Sequence, residues 1–310
     1  MRFVGVRHGA QTVIGRLFVD NSVAEVAEAA EFYADLPDWL AQAASLPGGR
    51  SYRTEIDEVP AVPASARVLC VGLNYRSHAE EAGLPIPEHP AFFGRWTVSL
   101  VADGTPVPVP SSEPGLDWEV ELAAVVGRPL AGVAPDQALA GVFGYAAFND
   151  LSARRHQMHS PLWTLGKNAD RSGPFSAVVT ADEVGDPRVG LRLRTRVNGE
   201  TVQNASTADM IFPVGELLAY LSEVMTLNPG DVIATGTPQG VGFKRTPPRY
   251  LRGGDTVGVE IERVGSVSNR IVGTGESASP GRRTLRVRDR HPAAGPVTWL
   301  TGGAGPRRGA

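Results

Sequence analysis

The chain has 310 residues, of which 42% are hydrophobic and 20% charged, and its formal net charge is −3 at pH 7. This balance is ordinary for a globular protein of one or two domains, and it gives no reason to expect a nucleic acid partner. Cys70 is the only cysteine, which excludes an intrachain disulfide. Neither a long apolar run nor an N-terminal apolar signal segment is present, so we expect a cytoplasmic protein with no membrane partner.

Residues 1–62 are predicted to form a small N-terminal α+β domain. The alternating run RFVGVR predicts a strand at its start. A helix is predicted over about residues 23–44, because Val26, Ala29 and Phe32 recur at helical spacing. The segment PGGRSYR then predicts a loop, because Pro-Gly-Gly interrupts regular structure.

Residues 63–263 form the longest well-patterned block and are predicted to be the main domain. Short apolar strands separated by turn residues dominate it: ARVLCVGL, LAAVVG, VFGYAAF, LRLRTRV, DVIATG and TVGVEIERV. Helices are few, notably one over Val214–Met225. This pattern predicts a β-dominated α+β fold rather than alternating βαβ units. Residues 264–310 are rich in Gly, Ser, Pro and Arg and are predicted to be a mostly disordered tail.

The segment DWEVELAA alternates between acidic and apolar residues, which predicts a strand with two different faces. Glu119 and Glu121 lie on one face, with Cα atoms roughly 6–7 Å apart. Unpaired and half-buried, they would repel each other, so this face is either solvated or holds a cation. A charged outer face of an edge strand is the simpler alternative.

A third acid favours the cation. Asp150 directly follows the apolar strand predicted over 142–148, and the strand that carries Glu119 and Glu121 continues as the apolar run LAAVV. Three carboxylates without an accompanying Cys or His suit a hard ion, Mg²⁺, Mn²⁺ or Ca²⁺, better than zinc. The spacing therefore supports a divalent-metal site as one hypothesis for these strands.

A second candidate group follows the predicted strand that ends at Gly72. His78 and Glu81 are three positions apart on a predicted short helix, and are therefore neighbours on one helix face. A carboxylate bound to one ring nitrogen fixes the tautomer and leaves the other nitrogen as a base. The alternative is an ordinary surface pair that contributes little.

Several motifs resemble the fumarylacetoacetate hydrolase (FAH) family. In chain order they are VGLNYRSHAEE, DWEVELAAVVGR, GYAAFNDLSAR, WTLGKNAD and the glycine-rich loop GTPQGVG. The resemblance extends over about residues 65–262, and the first 60 residues resemble the small N-terminal domain of many bacterial members. It implies an FAH-like mixed β-sandwich roll, a homodimer, and a catalytic role for the domain at 63–263.

The resemblance also implies roles for single residues. The carboxylates that hold Mg²⁺ or Mn²⁺ in the family correspond to Glu119, Glu121 and Asp150. The catalytic His–Glu pair and lysine correspond to His78, Glu81 and Lys167. The residues that correspond to substrate contacts are Arg95, Arg154, Gln157, Thr237 and Tyr75.

The family acts on small 2-oxo and 2,4-diketo acids. We therefore predict hydrolysis of a C–C bond in an acylpyruvate-like or fumarylacetoacetate-like acid, through an enolate that the metal stabilises. His78, held by Glu81, would activate water, and Lys167 would stabilise the oxyanion. The same enolate serves isomerases, tautomerases, hydratases and decarboxylases, which stay alternatives. A further alternative is a metal-binding scaffold without activity, although the complete set of catalytic residues counts against it.

The chain departs from the family pattern around the predicted substrate pocket. Arg95 stands where relatives often carry a lysine, Arg155 where an acid is common, and Asn168–Asp170 where Ser-Phe-Asp is usual. His156 and His159 could form a zinc site, but a lid segment is the preferred reading of this loop. Because the metal ligands are unchanged, we expect retained metal chemistry on a substrate that is not the standard one.

Overall fold

A computed structural model describes residues 1–273 of the chain. In chain order its strands are β1 (Arg2–His8), β2 (Gln11–Leu17), β3 (Ser22–Glu28), β4 (Ser51–Tyr52), β5 (Glu58–Val59), β6 (Val68–Gly72), β7 (Ala91–Arg95), β8 (Leu100–Val101), β9 (Val107–Pro108), β10 (Val120–Val126), β11 (Val142–Asn149), β12 (Gly173–Pro174), β13 (Val178–Thr180), β14 (Arg192–Val197), β15 (Glu200–Ser206), β16 (Val232–Ala234), β17 (Thr256–Ile261) and β18 (Gly265–Val272). Its α-helices are α1 (Ala29–Ala34), α2 (Leu36–Ser45), α3 (Arg76–Ala82), α4 (Pro135–Leu139), α5 (Arg154–Gln157), α6 (Thr164–Lys167), α7 (Ala181–Val184) and α8 (Val214–Ser222).

The strands form two main mixed sheets. An eleven-stranded sheet has the order β4-β3-β2-β1-β13-β11-β10-β16-β6-β7, with β5 paired to β1. A five-stranded sheet has the order β15-β14-β17-β18-β9, and β12 pairs with β8. The fold is therefore β-dominated with few helices, as the sequence predicts. Among residues 1–273, no helix is both long enough and apolar enough to cross a bilayer.

The antiparallel pair β10 and β11 lies in the middle of the large sheet. Every residue of both strands is buried, because the two faces of the sheet carry different cores. Val120 and Leu122 belong to a core that includes residues of α8, whereas Ala123 and Val125 belong to a core on the opposite face. This burial explains why the run LAAVV is apolar at consecutive positions.

The N-terminal strands extend the same sheet. β1 pairs with β13 through Arg2↔Val179 and Phe3↔Val178. The ring of Phe143, in β11, lies 5.6 Å from that of Phe3, measured between centroids. Residues 1–62 thus share a sheet and a core with residues 63–263, and the predicted domain boundary at 62 stays a prediction.

The predicted helix over residues 23–44 is wrong at its start, because residues 22–28 form β3. The register of β3 on β2 passes from Ala27 to Glu25 and leaves Val26 as a bulge. A bulge shifts the alternation of a strand by one residue, so it can imitate the three-residue spacing of a helix. Helical structure begins only at Ala29, and the chain is helical again from Leu36 to Ser45.

The predicted start of the tail at residue 264 is also wrong. Residues 265–272 form β18, which pairs with β17 along its length and with β9 at its end. Val267 and Ile271 are buried on its inner face, whereas Ser266 and Ser268 are exposed, so the serines mark the solvent side of a strand. The rest of the predicted tail, from residue 274, lies outside the described residues.

Candidate metal centre

The carboxylates predicted as ligands meet where β10 begins and β11 ends. Val120 pairs with Asn149 in the antiparallel register, so Glu119 and Glu121 lie beside Asp150. One oxygen from each carboxylate lies within 4.8 Å of the others, and all three residues are buried. The alternation of the sequence therefore places the acids on one face, as predicted, and a charged outer face is excluded.

Three cationic side chains hold two of these acids. Lys167, at the end of α6, donates from Nζ to Glu119 Oε2 and to Asp150 Oδ2, both at 2.6 Å. Arg95 donates to Asp150 Oδ1, and the Nη2 of Arg154 lies 2.5 Å from Glu119 Oε1. Burial alone would raise the pKa of Glu119, but the charges of Lys167 and Arg154 outweigh burial and lower that pKa to about 2.

Glu121 has different surroundings. Its Oε2 accepts the backbone N–H of Gly236 at 2.9 Å, and among residues 1–273 no lysine or arginine forms a salt bridge with it. Burial, followed by repulsion from Asp150 and Glu119, raises the pKa of Glu121 well above its ordinary value. Among the three acids, Glu121 is therefore the one without a salt bridge to a lysine or arginine of residues 1–273.

This donor set fits a divalent ion. The buried cluster has more acids than cations: its acids are Asp117, Glu119, Glu121 and Asp150, and its cations are Arg95, Arg154 and Lys167. A carboxylate oxygen has two lone pairs, so an oxygen that accepts a hydrogen bond can also bind a metal. Ligating carboxylates in proteins are commonly held by such hydrogen bonds. Oxygen-only donors favour Mg²⁺, Mn²⁺ or Ca²⁺.

The predicted His–Glu pair lies on α3 and faces this cluster. His78 Nδ1 lies 3.1 Å from Glu81 Oε2, which leaves Nε2 as the proton acceptor. The second oxygen of Glu81, Oε1, accepts the N–H of Gly240 at 2.9 Å. When protonated, His78 contributes to the lowered pKa of Glu119, so the two side chains are electrostatic neighbours.

The residues predicted to contact substrate are mostly buried, and their roles stay predictions. Arg154 is held by Asp117, Glu119 and Gln157, the last through Nη1 donating to Gln157 Oε1 at 2.8 Å. Thr237 is also buried, and its Oγ1 accepts from the side-chain amide of Gln203 at 3.0 Å.

Tyr75 and Arg95 are both buried near the cluster. Tyr75 is fully buried, and the charge of Glu121 is among the causes that raise its pKa, after burial itself. Arg95 is 3% exposed, and its second guanidinium nitrogen donates to Ser172 Oγ at 2.7 Å. Arg95 thus contacts Asp150, a predicted metal ligand. The sequence analysis predicts only a contact between Arg95 and the substrate.

Two acids of the site were missed by sequence reasoning. Asp117 is fully buried and accepts from Arg154 Nε at 2.8 Å. Glu113 accepts the backbone N–H groups of Arg155 and His156 and thereby fixes α5, which carries Arg154. The alternation of the sequence places Asp117 on the same face as Glu119, which was the available signal, whereas nothing in the sequence around Glu113 marks it.

The segment that contains His156, at the end of α5, and His159 gives no support to a zinc site. The ring centroids of the two histidines are 5.3 Å apart, and His156 Nδ1 contacts Glu113. Within residues 1–273, however, the ligand atoms of three or more His, Cys, Asp or Glu side chains converge only at Glu119, Glu121 and Asp150.

Comparison with known proteins identifies the family. The family described as fumarylacetoacetate (FAA) hydrolase, C-terminal, matches residues 67–272. The chain belongs to the fumarylacetoacetate hydrolase family. The resemblance seen in the motifs is thereby confirmed.

Named relatives of this FAH protein differ in activity. Oxaloacetate tautomerase FAHD2A, mitochondrial, of Homo sapiens is 41% identical over 71% of each chain. The structure of 5-carboxymethyl-2-hydroxymuconate delta-isomerase from Mycobacterium smegmatis is 30% identical, with a TM-score of 0.70, and covers 89% of this chain and all of that one. Fumarylpyruvate hydrolase from Pseudomonas aeruginosa, in complex with Mn²⁺ and pyruvate, is 34% identical, with a TM-score of 0.62, over 70% of this chain and 91% of that one. The FAH fold is confirmed, and the protein is an FAH-superfamily enzyme.

Proposed function

We propose that this protein is a divalent-metal-dependent tautomerase, which interconverts the keto and enol forms of a 2-oxo dicarboxylic acid such as oxaloacetate. The observation that carries the proposal is the cluster of three buried carboxylates with the His78–Glu81 pair beside it. The FAHD2A relative, named as an oxaloacetate tautomerase, supports tautomerisation as the first candidate. The motifs of the sequence favour hydrolysis instead.

Glu119, Glu121 and Asp150 would hold the metal, and we propose Mg²⁺ or Mn²⁺, with Ca²⁺ as a weaker candidate because the reaction needs a strong Lewis acid. When bound, such an ion polarises a carbonyl oxygen and stabilises negative charge that develops on it. The Mn²⁺ and pyruvate named for the Pseudomonas aeruginosa relative support a divalent ion together with a 2-oxo acid.

His78 would move the proton. Glu81 fixes the imidazole through Nδ1, so Nε2 would take the proton from the carbon next to the carbonyl group. Keto–enol exchange gains and loses no atoms, because one proton leaves carbon and one is delivered to oxygen. No further cofactor is therefore required.

Buried cations would orient the substrate and keep Glu119 ionised. Burial alone would lower the pKa of Lys167, but Asp150 and Glu119 raise it above its ordinary value, so its ammonium group is charged. Arg154 and Gln157 lie on the short helix α5 next to Glu119, and Thr237 lies in the glycine-rich loop. We propose that these three side chains contact the carboxylate groups of the substrate.

Hydrolysis of an acylpyruvate is the second candidate. The His78–Glu81 pair could activate a water molecule instead of a carbon acid. The relative named fumarylpyruvate hydrolase supports this reaction, and the relative named as an isomerase supports a proton shift over a longer conjugated chain. A homodimer and a cytoplasmic location stay predictions.

The deciding experiment supplies the enol form of oxaloacetate with Mg²⁺ or Mn²⁺ and follows its ultraviolet absorbance, with acylpyruvates tested in parallel for release of pyruvate. Acceleration of ketonisation that is lost with a chelator is the expected result. Release of pyruvate from acylpyruvates without any effect on oxaloacetate would replace the first candidate by the second. Matched reactions with His78→Ala separate catalysis by the protein from catalysis by the free ion.

A further inference from the structure

The glycine-rich loop at 236–242 is held by three acids from different parts of the chain. Gly236 donates its N–H to Glu121 Oε2 at 2.9 Å, Gly240 donates to Glu81 Oε1 at 2.9 Å, and Gly242 donates to Asp117 Oδ1 at 2.6 Å. The first acid is a predicted metal ligand and the second orients His78. One loop thus connects the carboxylate cluster to the His–Glu pair.

The glycines are required by backbone conformation and by space. Gly236 and Gly240 have φ values of +84° and +98°, in the region that favours glycine. A Cβ on Gly242 would lie 2.0 Å from the carbonyl oxygen of Arg249 and 2.7 Å from Asp117 Oδ1. Glycine at 242 therefore lets the loop approach Asp117 closely.

Asp117 joins this loop to Arg154. Its Oδ2 accepts from Arg154 Nε at 2.8 Å and from the N–H of Phe243 at 3.2 Å, while Oδ1 accepts from Gly242 and Trp118. Arg154 in turn contacts Glu119 Oε1, and its guanidinium carbon lies 4.3 Å from the centre of the Phe243 ring. Each oxygen of Asp117 therefore accepts hydrogen bonds, Oδ1 from the glycine-rich loop and Oδ2 from Arg154.

We infer that Asp117 is a positioning residue. It orients Arg154 toward the proposed ligand Glu119, and it anchors the end of the glycine-rich loop, whose Gly240 N–H binds Glu81. The inference rests on the proposed function, because it takes Glu119 as a metal ligand. Without the charge of Asp117, Glu119 would be the only carboxylate of residues 1–273 in a salt bridge with Arg154. Arg154 would then hold Glu119 Oε1 more strongly and compete with the metal for it.

Asp117→Asn tests this role. Every donor to Asp117 is an N–H group, so the new amide NH₂ faces donors whichever way it is turned. Removal of a hydrogen-bonding partner behind a metal ligand typically weakens metal affinity or activity by about 10–100-fold. We expect a Mn²⁺ dissociation constant raised by this factor, together with a lower kcat.

The chain offers a matched control in Asp231. This buried carboxylate also accepts two backbone N–H groups, from Arg67 and Asn228, and pairs with the guanidinium of Arg67. It lies before β16, whereas Gly236 follows β16, so it is about 16 Å of strand away from the Glu121 contact. Asp231→Asn is expected to lower the midpoint of thermal unfolding and to leave the Mn²⁺ dissociation constant and kcat unchanged.

Mn²⁺ titration of the full-length metal-free chain distinguishes the outcomes. Weaker Mn²⁺ binding in Asp117→Asn but not in Asp231→Asn supports the inference. Equal effects in both variants, or none in Asp117→Asn, would overturn it. Absence of Mn²⁺ binding by the unaltered chain would overturn the inference and the proposed function together.

Phe243→Leu provides a milder variant if Asp117→Asn does not fold. It keeps an apolar side chain but removes the ring that lies over Arg154. A cation–π contact of this kind changes an equilibrium by about 2–10-fold. A Mn²⁺ dissociation constant raised within this range supports the restraint of Arg154, and an unchanged constant would overturn it.

Discussion

Two buried acidic regions lie near opposite ends of β16, and their surroundings differ. At the start of the strand, Asp231 is matched by the guanidinium of Arg67 and by the backbone N–H groups of Arg67 and Asn228. One carboxylate thus meets one cation, and each of its oxygens has donors. The hydrogen-bonding capacity of such a buried acid is satisfied by the protein without any ligand.

At the other end of the strand, the carboxylate cluster is not balanced by the protein. Lys167, Arg95 and Arg154 hold Glu119 and Asp150, whereas Glu121 has one N–H donor within residues 1–273, Gly236, and a raised pKa. In the sequence, both regions consist of acidic residues next to apolar strands. An excess of carboxylates over cations, rather than burial of acids as such, distinguishes the proposed metal centre from a structural ion pair.

Glu119→Gln should have the largest effect on activity. It removes one ligand charge while keeping the shape of the side chain, so metal binding and the metal-dependent reaction should fall to background. The measurement is the rate of ketonisation with Mn²⁺, compared with Asp231→Asn at the far end of β16. Equal activity in Glu119→Gln and the unaltered chain would show that the two regions do not differ in function.

His78→Ala should lower the rate by about 10²–10⁴, the usual contribution of a general base. Metal binding should stay near normal, because His78 is not among the converging carboxylate ligands. Parallel Mn²⁺ titrations and rate measurements separate the two effects. An unchanged rate would remove His78 from the proposed mechanism, whatever the metal affinity.

The raised pKa of Glu121 predicts how the metal-free protein responds to pH. Burial, then Asp150 and Glu119, raise the folded-state pKa above the ordinary value of 4.5. The protonated form is therefore favoured by folding, and this contribution to stability is complete below pH 4.5 and is lost as the pH rises through the folded-state pKa. The slope for one group is at most about 1.4 kcal/mol per pH unit.

Urea unfolding in a chelator, between pH 5 and pH 8, measures this loss. Glu121→Gln is the matched control, because it retains Asp117 and all other titrating groups. The unaltered chain should lose free energy of unfolding relative to the variant as pH increases, and Mn²⁺ should restore it. If the difference in free energy of unfolding between the two proteins does not change with pH, the raised pKa of Glu121 is contradicted.

Arg95→Lys should have the smallest effect. A lysine could keep the ion pair with Asp150 but could not also donate to Ser172 in the same fork geometry. We expect a Mn²⁺ dissociation constant raised by less than about 10-fold, near the lower limit for a partner behind a ligand. A larger loss of Mn²⁺ affinity would show that Arg95 contributes more than Lys167 to positioning Asp150.

The sequence predicted the meeting of three acids and several of the longer strands, because these depend on local patterns. Alternation placed Glu119 and Glu121 on one face, and the end of an apolar strand placed Asp150. The bulge at Val26 defeated the same reasoning, because it changes the period of the strand. Small polar residues in β18 likewise concealed a strand of the five-stranded sheet.

The contacts that hold the site could not be predicted because they join distant parts of the chain. Arg95 and Asp150 are 55 positions apart, and Asp117 and Gly242 are 125 positions apart. No local pattern encodes such pairs, and the acid at 117 differs from the acid at 119 only in the partners that the fold brings to it. The family resemblance supplied residue roles but not these contacts.

Mn²⁺ titration of the metal-free chain and of Glu121→Gln tests the metal centre most directly. One ion bound by each unaltered chain, and loss of that binding in the variant, is the predicted result. Equal binding by both proteins would contradict a centre built from Glu119, Glu121 and Asp150.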